Sequence, residues 1–132
     1  YKDEMKCFDK VIEIEPNYTG VWLNKGNALF RLGKHEDAIK CYDKAIEINP
    51  NDADAWNGKG AALVNRKKRE EAVRCFDKAT EIEPNYTGAW FNKGLTLGEL
   101  KRYESNRDGA QPLDGLEQQG SDATWTRKAR RS

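Results

Sequence analysis

The sequence predicts an all-α fold, a solenoid of antiparallel helix pairs, and three observations carry that prediction. Pro16, Pro50 and Pro84 stand 34 residues apart, and other columns keep step with them: Trp22, Trp56 and Trp90; Gly26, Gly60 and Gly94; Cys7, Cys41 and Cys75. Within one period the apolar residues recur at three- and four-residue steps, which is helical rather than strand spacing. Each period then closes on its proline, which cannot continue a helix and turns the residue before it away from helical geometry.

The elements follow in order. Residues 1–18 read as the second helix (B) of a repeat, since Tyr1 aligns with His35, Arg69 and Tyr103; without a first helix (A) or an initiator Met, the chain is expected to be a fragment of a longer array. Residues 19–52 make a full repeat. Val21, Trp22, Gly26, Leu29 and Leu32 form the stripe of helix A, Gly33-Lys34 the break, and Ala38, Ile39, Tyr42, Ala45, Ile46 and Ile48 the stripe of helix B. Residues 53–86 repeat this plan, and 87–104 supply one more helix A. Thr19, Asp52 and Thr87 stand where N-caps are expected. Gly26, Gly60 and Gly94 would each cost about 1 kcal/mol relative to Ala in mid-helix, so helix B is expected to approach closely there, with the neighbouring Trp filling the adjacent gap.

From 105 to 132 the pattern stops. Gly109, Pro112, Gly115 and Gly120 interrupt any helix and apolar residues are sparse, so a divergent, flexible tail is expected. Where a fourth joint would stand, at 115–122, the chain reads GLEQQGSD. The faint echo of Asp54-Ala55-Trp56 at 122–125 is not followed by a Gly at the right step.

On these columns the sequence resembles the tetratricopeptide repeat family. The family's Trp-Gly-Ala-aromatic-Ala-Pro pattern falls on Trp22, Gly26, Ala38, Tyr42, Ala45 and Pro50, then on Trp56, Gly60, Ala72, Phe76, Ala79 and Pro84. A third unit matches through Trp90 and Gly94. The family's usual Leu before the Gly is Lys25, Lys59 and Lys93 here. The resemblance implies a right-handed superhelix whose A helices line a concave groove for an extended peptide or a partner helix.

Composition narrows the function. Residues 1–104 carry 18 basic and 18 acidic side chains and the tail 5 against 4, for a net charge of +1, which lacks the basic excess of a nucleic-acid footprint. An RNA-binding helical repeat is therefore the least favoured reading. No apolar run approaches a membrane span and no signal peptide is legible. The cysteines occupy one column of successive B helices, too far apart for disulfides, and read as small packed thiols in a reducing, cytoplasmic setting. The sequons at Asn17 and Asn85 are read as coincidence on that ground. No metal or cofactor motif is present, and His35, the single histidine, stands in an A–B turn where other repeats carry Tyr or Arg, which predicts a packing or surface role. No enzyme is predicted. Lys10, Lys44 and Lys78 with Glu13, Glu47 and Glu81 are expected to be helix ion pairs. The basic runs 65–69 and 127–131 are read as solvated.

What remains is surface. The A-helix positions outside the packing stripe are Leu23, Asn24, Asn27, Phe30 and Arg31; Asn57, Ala61, Val64 and Asn65; and Phe91, Asn92 and Leu95. An Asn side chain both donates and accepts, so it can read a peptide backbone without demanding a side chain. The expected function is a protein–protein interaction module, with Leu23, Phe30 and Phe91 as anchors and Asn24, Asn27, Asn57 and Asn92 as orienting amides. Family members that clamp a chaperone's terminal carboxylate use five set positions, and of those only Asn27 matches. Leu23, Gly58, Gly88 and Asn92 occupy the others. A final helix A without its helix B would leave Trp90, Phe91, Leu95, Leu97 and Leu100 partly uncovered, so self-association into a homo-oligomer through Trp90, Leu97 and Leu100 is the alternative expectation.

Overall fold

A computed structural model describes residues 2–107, and every regular element among them is an α-helix. Six are present: α1 (Lys2–Ile14), α2 (Thr19–Arg31), α3 (His35–Ile48), α4 (Ala53–Asn65), α5 (Arg69–Ile82) and α6 (Thr87–Arg107). They form an all-α solenoid of helical repeats. In two repeats helix A packs on its own helix B, α2 on α3 and α4 on α5, and α3 packs on the following α4. Tyr1 and the expected tail from 108 onward, with the 122–125 echo and the basic run at 127–131, lie outside the described residues. The first three residues of that expected tail, 105–107, are helical and extend α6 beyond the expected end at 104. The chain divides into two compact units at Leu97; of the second, residues 98–107 are helical.

The joints explain the period. In each, the indole N–H of the Trp donates to the carbonyl of the proline six residues earlier: Trp22 to Pro16, Trp56 to Pro50 and Trp90 to Pro84, all at 2.8 Å. The proline thus stops one helix and also presents an acceptor that pins the next one. The caps differ between copies. Asp52 caps α4, its carboxylate accepting from the Ala55 N–H at 3.3 Å. Thr19 does not cap α2: it is already helical, and Tyr18 occupies the cap position in extended backbone without a side-chain bond. Thr87 is likewise the first residue of α6.

The A–B turns need a left-handed residue. Gly33 supplies it in the first repeat with φ 82°, and Lys67 in the second with φ 64°, a conformation that disfavours a side chain bearing Cβ.

Two apolar clusters hold the repeats. Leu29, Ala38, Cys41, Tyr42 and Ala62 form the first, with Met5, Trp22, Leu23 and Phe30 against its edge. Leu63, Ala72, Cys75 and Phe76 form the second, with Trp56 and Val64 alongside. Ile39 touches both and links them. The close approach expected at the glycines is present: a Cβ on Gly26 would stand 2.8 Å from the Tyr42 ring, and one on Gly60 2.5 Å from the Phe76 ring. At Gly94 such a Cβ would meet nothing within 4 Å.

Cys41 and Cys75 are buried, but Cys7 is exposed, because no A helix among the described residues covers that side of α1. The expected ion pairs Lys10–Glu13, Lys44–Glu47 and Lys78–Glu81 form at 3.3, 3.2 and 3.9 Å. No helix among the described residues is long and apolar enough to cross a membrane.

Candidate functional site

The A helices α2, α4 and α6 carry the candidate face. Helices α2 and α4 touch, and the Asn92 amide of α6 donates to the Asn57 side-chain oxygen of α4 at 3.2 Å. Because successive repeats are in register, residues 34 apart form rows across this face. Leu23, Asn57 and Phe91 make one row; Asn24, Gly58 and Asn92 the next; Asn27, Ala61 and Leu95 a third.

These side chains are not equally available. Phe91 and Leu95 are 65% and 55% exposed, far beyond what solitary core residues show, and Asn24 is exposed beside them in sequence register. Leu23 and Phe30 are half-buried against the first cluster, and the Phe30 ring meets the His35 ring edge-on with centroids 5.0 Å apart. Val64 is half-buried against the second cluster, and Ala61 is half-buried. Asn65 is exposed and its amide donates to the Ala61 carbonyl of its own helix at 3.1 Å. Asn27 accepts from the Tyr42 hydroxyl at 2.6 Å, so one of its groups serves the core. On the B-facing side of α6, Trp90 and Leu97 are 50% and 44% exposed and Leu100 is half-buried.

A hydrogen-bonded chain that the sequence did not disclose crosses the face. Asn57 donates to the Tyr86 hydroxyl at 3.3 Å, and that hydroxyl donates to the Asp54 carboxylate at 2.6 Å. With the Asn92–Asn57 bond, four side chains run in series and end at Asp54. Burial and the hydrogen bond to Asp54 hold the Tyr86 proton well above the ordinary tyrosine range. The signal was present in the joints: the middle copy, EINPNDAD, departs from EIEPNYTG by placing Asp at 54, and the last copy places Tyr at 86, its partner 32 residues on. Gly58, which interrupts the Asn row, also has a structural cause. A Cβ there would stand 2.7 Å from the Tyr42 ring, so that aromatic excludes any side chain.

The opposite side of the A helices carries a second ladder. Lys25, Lys59 and Lys93 reach Asp9, Asp43 and Asp77 of the preceding B helices at 2.8, 2.7 and 2.6 Å. The Lys column that departs from the family's Leu and the Asp column that follows each Cys-aromatic pair are therefore two halves of one contact. Burial alone would lower the Lys59 pKa, yet the Asp43 bond and charge raise it.

Little here suits covalent chemistry. Between α2 and α3 lies a depression of about 310 Å³ lined by Trp22, Lys25, Leu29, Asp37, Lys40 and Cys41. Burial pushes the Cys41 thiol above its ordinary range and the Cys75 thiol up to about 11, which keeps both protonated and poorly nucleophilic near neutrality. Among the described residues no group of three or more His, Cys, Asp or Glu side chains is placed to hold a metal ion. Nδ1 of His35, the first residue of α3, is buried without a hydrogen-bond partner, and its ring lies against Phe30 at the edge of the face.

Comparison with known proteins agrees with the fold. Curated protein sequences yield no match. Among solved structures, the first TPR of Spaghetti (RPAP3) bound to the HSP90 peptide SRMEEVD has a TM-score of 0.71 at 27% identity, covering 73% of this chain and 76% of that one. The first TPR domain of human RPAP3 gives 0.73 at 27% identity, covering 76% and 79%. YrrB, a TPR protein with an unusual peptide-binding site, gives 0.67 at 28% identity, covering 74% of this chain and 50% of its own. Tetratricopeptide repeat profiles match residues 20–52 and 53–86, and a second such profile matches 75–105. With profiles matched from the first helix A through most of α6, the chain belongs to the tetratricopeptide repeat family.

Proposed function

We propose that this chain is a non-enzymatic interaction module that binds a segment of another protein in the groove lined by α2, α4 and α6. The observation that carries this reading is the exposure of Phe91 and Leu95 next to Asn92, in a row of A helices that also carries exposed Asn24 on α2 and, on α4, Asn57 already bonded to Tyr86 and Asn92. Large apolar side chains left open beside amides offer both a desolvating anchor and backbone-reading hydrogen bonds, the usual division of labour in a peptide groove. Leu23, Asn27, Phe30, Ala61, Val64 and Asn65 line the same helices; those packed on the clusters shape the floor, while Phe91 and Leu95 anchor the ligand. Structural relatives support the class of partner, since RPAP3 was solved with SRMEEVD and YrrB is described by its peptide-binding site. A chaperone tail of that acidic type is not the expected ligand here, because Leu23, Gly58, Gly88 and Asn92 stand where cations and one amide would hold its carboxylate. The test is a peptide-array screen followed by Phe91→Ala and Asn24→Ala. Binding should weaken by about tenfold for the aromatic, in line with loss of a central anchor; undiminished binding in both variants rejects the groove.

A second reading is favoured by one contrast. Gly26 and Gly60 are each filled by a B-helix ring, whereas Gly94 faces open space between exposed Trp90 and Leu97. A helix of B type from a second copy would fit that face. Sedimentation across a wide concentration range decides it: a constant monomer mass removes this reading.

A further inference from the structure

Asp54 is the unbalanced charge of the face. Its carboxylate is exposed, one oxygen accepts from Tyr86 at 2.6 Å, and no cation is paired with it among the described residues. The lysines of the same and the following A helix, Lys59 and Lys93, are committed to Asp43 and Asp77 of the B helices. Arg31 and Arg66 reach Glu4 and Glu36 of neighbouring helices, at 3.7 and 3.5 Å. The flanking A helices carry Gly20 and Gly88 at the register of Asp54, so neither contributes a side chain that could cover the carboxylate.

The Asp54–Tyr86–Asn57–Asn92 chain also fixes where this charge lies relative to the apolar anchors. Asp54 stands one turn before Asn57 on α4, Asn57 is bonded to Asn92, and Asn92 lies between Phe91 and Leu95 on α6. An acidic group and two exposed apolar side chains thus share one stretch of groove. We propose that the groove takes an internal segment carrying a lysine or arginine, its cation on Asp54 and its flanking apolar side chains on Phe91 and Leu95. This rests on the interaction reading above and adds the sign and the spacing of what is bound. Charge complementarity selects the occupant: a negative site with apolar neighbours favours a basic–apolar segment and repels a free acidic C-terminus.

The probe is a library of random nonapeptides, acetylated and C-terminally amidated, with the best binders remeasured by fluorescence anisotropy. Bound peptides should be enriched in Lys or Arg next to a large apolar residue. Asp54→Asn, whose amide oxygen still accepts from Tyr86, should weaken them about three- to tenfold and flatten their salt dependence, as expected for one partly exposed charge-assisted contact. Phe91→Ala should weaken them while leaving the basic preference in place. Peptides that depend on Phe91 but show no basic enrichment, or that ignore Asp54→Asn, overturn this proposal and leave the groove standing. Peptides indifferent to both Phe91→Ala and Asn24→Ala, or no bound peptide at all, overturn both. Thermal melts of each variant, expected to match the parent, separate lost binding from lost folding.

Discussion

Phe76 leaves no room beside Gly60, and this one contact shows how the repeat uses its glycine column. The ring is 1% exposed, and a Cβ added at Gly60 would stand 2.5 Å from its Cε1 and 2.8 Å from its Cδ1. Because the ring is held on all sides, it cannot yield, and Gly60→Ala should destabilise the protein by about 1–3 kcal/mol through overpacking. Gly94 occupies the same column but faces open space, so Gly94→Ala should stabilise it by about 0.5–1 kcal/mol through helix propensity. Chemical denaturation of the two variants checks the opposite signs; a loss in both would mean that the glycine column serves the backbone rather than the ring. The column itself was plain in the sequence, and so was the reason for it, since a mid-helix glycine at fixed period implies a close neighbour. The Asp54–Tyr86 bond was not legible in the same way. It joins residues from different repeats at positions where the copies disagree, and period-based reading discards positions that disagree. Gly58 was hidden for a related reason: it looks like a lapse in the Asn row until the Tyr42 ring is seen lying against it.

At the scale of an element, each A helix is held from two sides by different physics. Its core side is apolar, and its edge toward the preceding B helix carries the Lys–Asp contact. In α4 that contact joins Lys59 to Asp43 at 2.7 Å, with the Lys59 ammonium also 6.0 Å from the centroid of the Trp56 ring. Side-chain exposures of 26% for Lys59 and 50% for Asp43 place the pair at the surface, where such contacts contribute about 0–1 kcal/mol. The Leu usual in the family at this column would replace that term by apolar contact of similar size. Lys59→Leu should therefore change stability by less than about 1 kcal/mol. It should also remove the cost of Asp43→Ala, which is measurable only while the lysine is present. A double-mutant cycle in low and high salt tests this. Equal costs of Asp43→Ala in both backgrounds would show that the carboxylate acts elsewhere, for instance on the start of its own helix. Both columns were visible in the sequence as periodic letters. Their pairing was not, because it depends on which face of α3 meets α4.

Over the whole molecule, stability should be graded rather than uniform. Solenoid repeats contact only their neighbours, so an element with one interface is held more weakly than an element with two. Helix α1 has no buried residue and, among the described helices, packs mainly on α2, whereas α3 packs on both α2 and α4. Its ties include Met5 at the edge of the first cluster, half-buried Phe8, Val11 and Ile12, and the surface contacts Asp9–Lys25 and Glu4–Arg31. A helix of 13 residues is marginal in water without tertiary support. Hydrogen exchange should accordingly find the α1 amides opening first, with a small local free energy, and the α3 and α4 amides exchanging only near the global limit. Met5→Ala, removing the contact that α1 makes with the first cluster, should deprotect α1 further while leaving α4 and α5 unchanged. If α1 instead exchanges at the same rate as α3 and loosens every helix when Met5 is shortened, the array folds as one cooperative block and the nearest-neighbour account fails. The graded outcome bears on function as well: α4 carries Asp54 and Asn57 and lies between packed neighbours, so the binding face would stay ordered while the first helix frays.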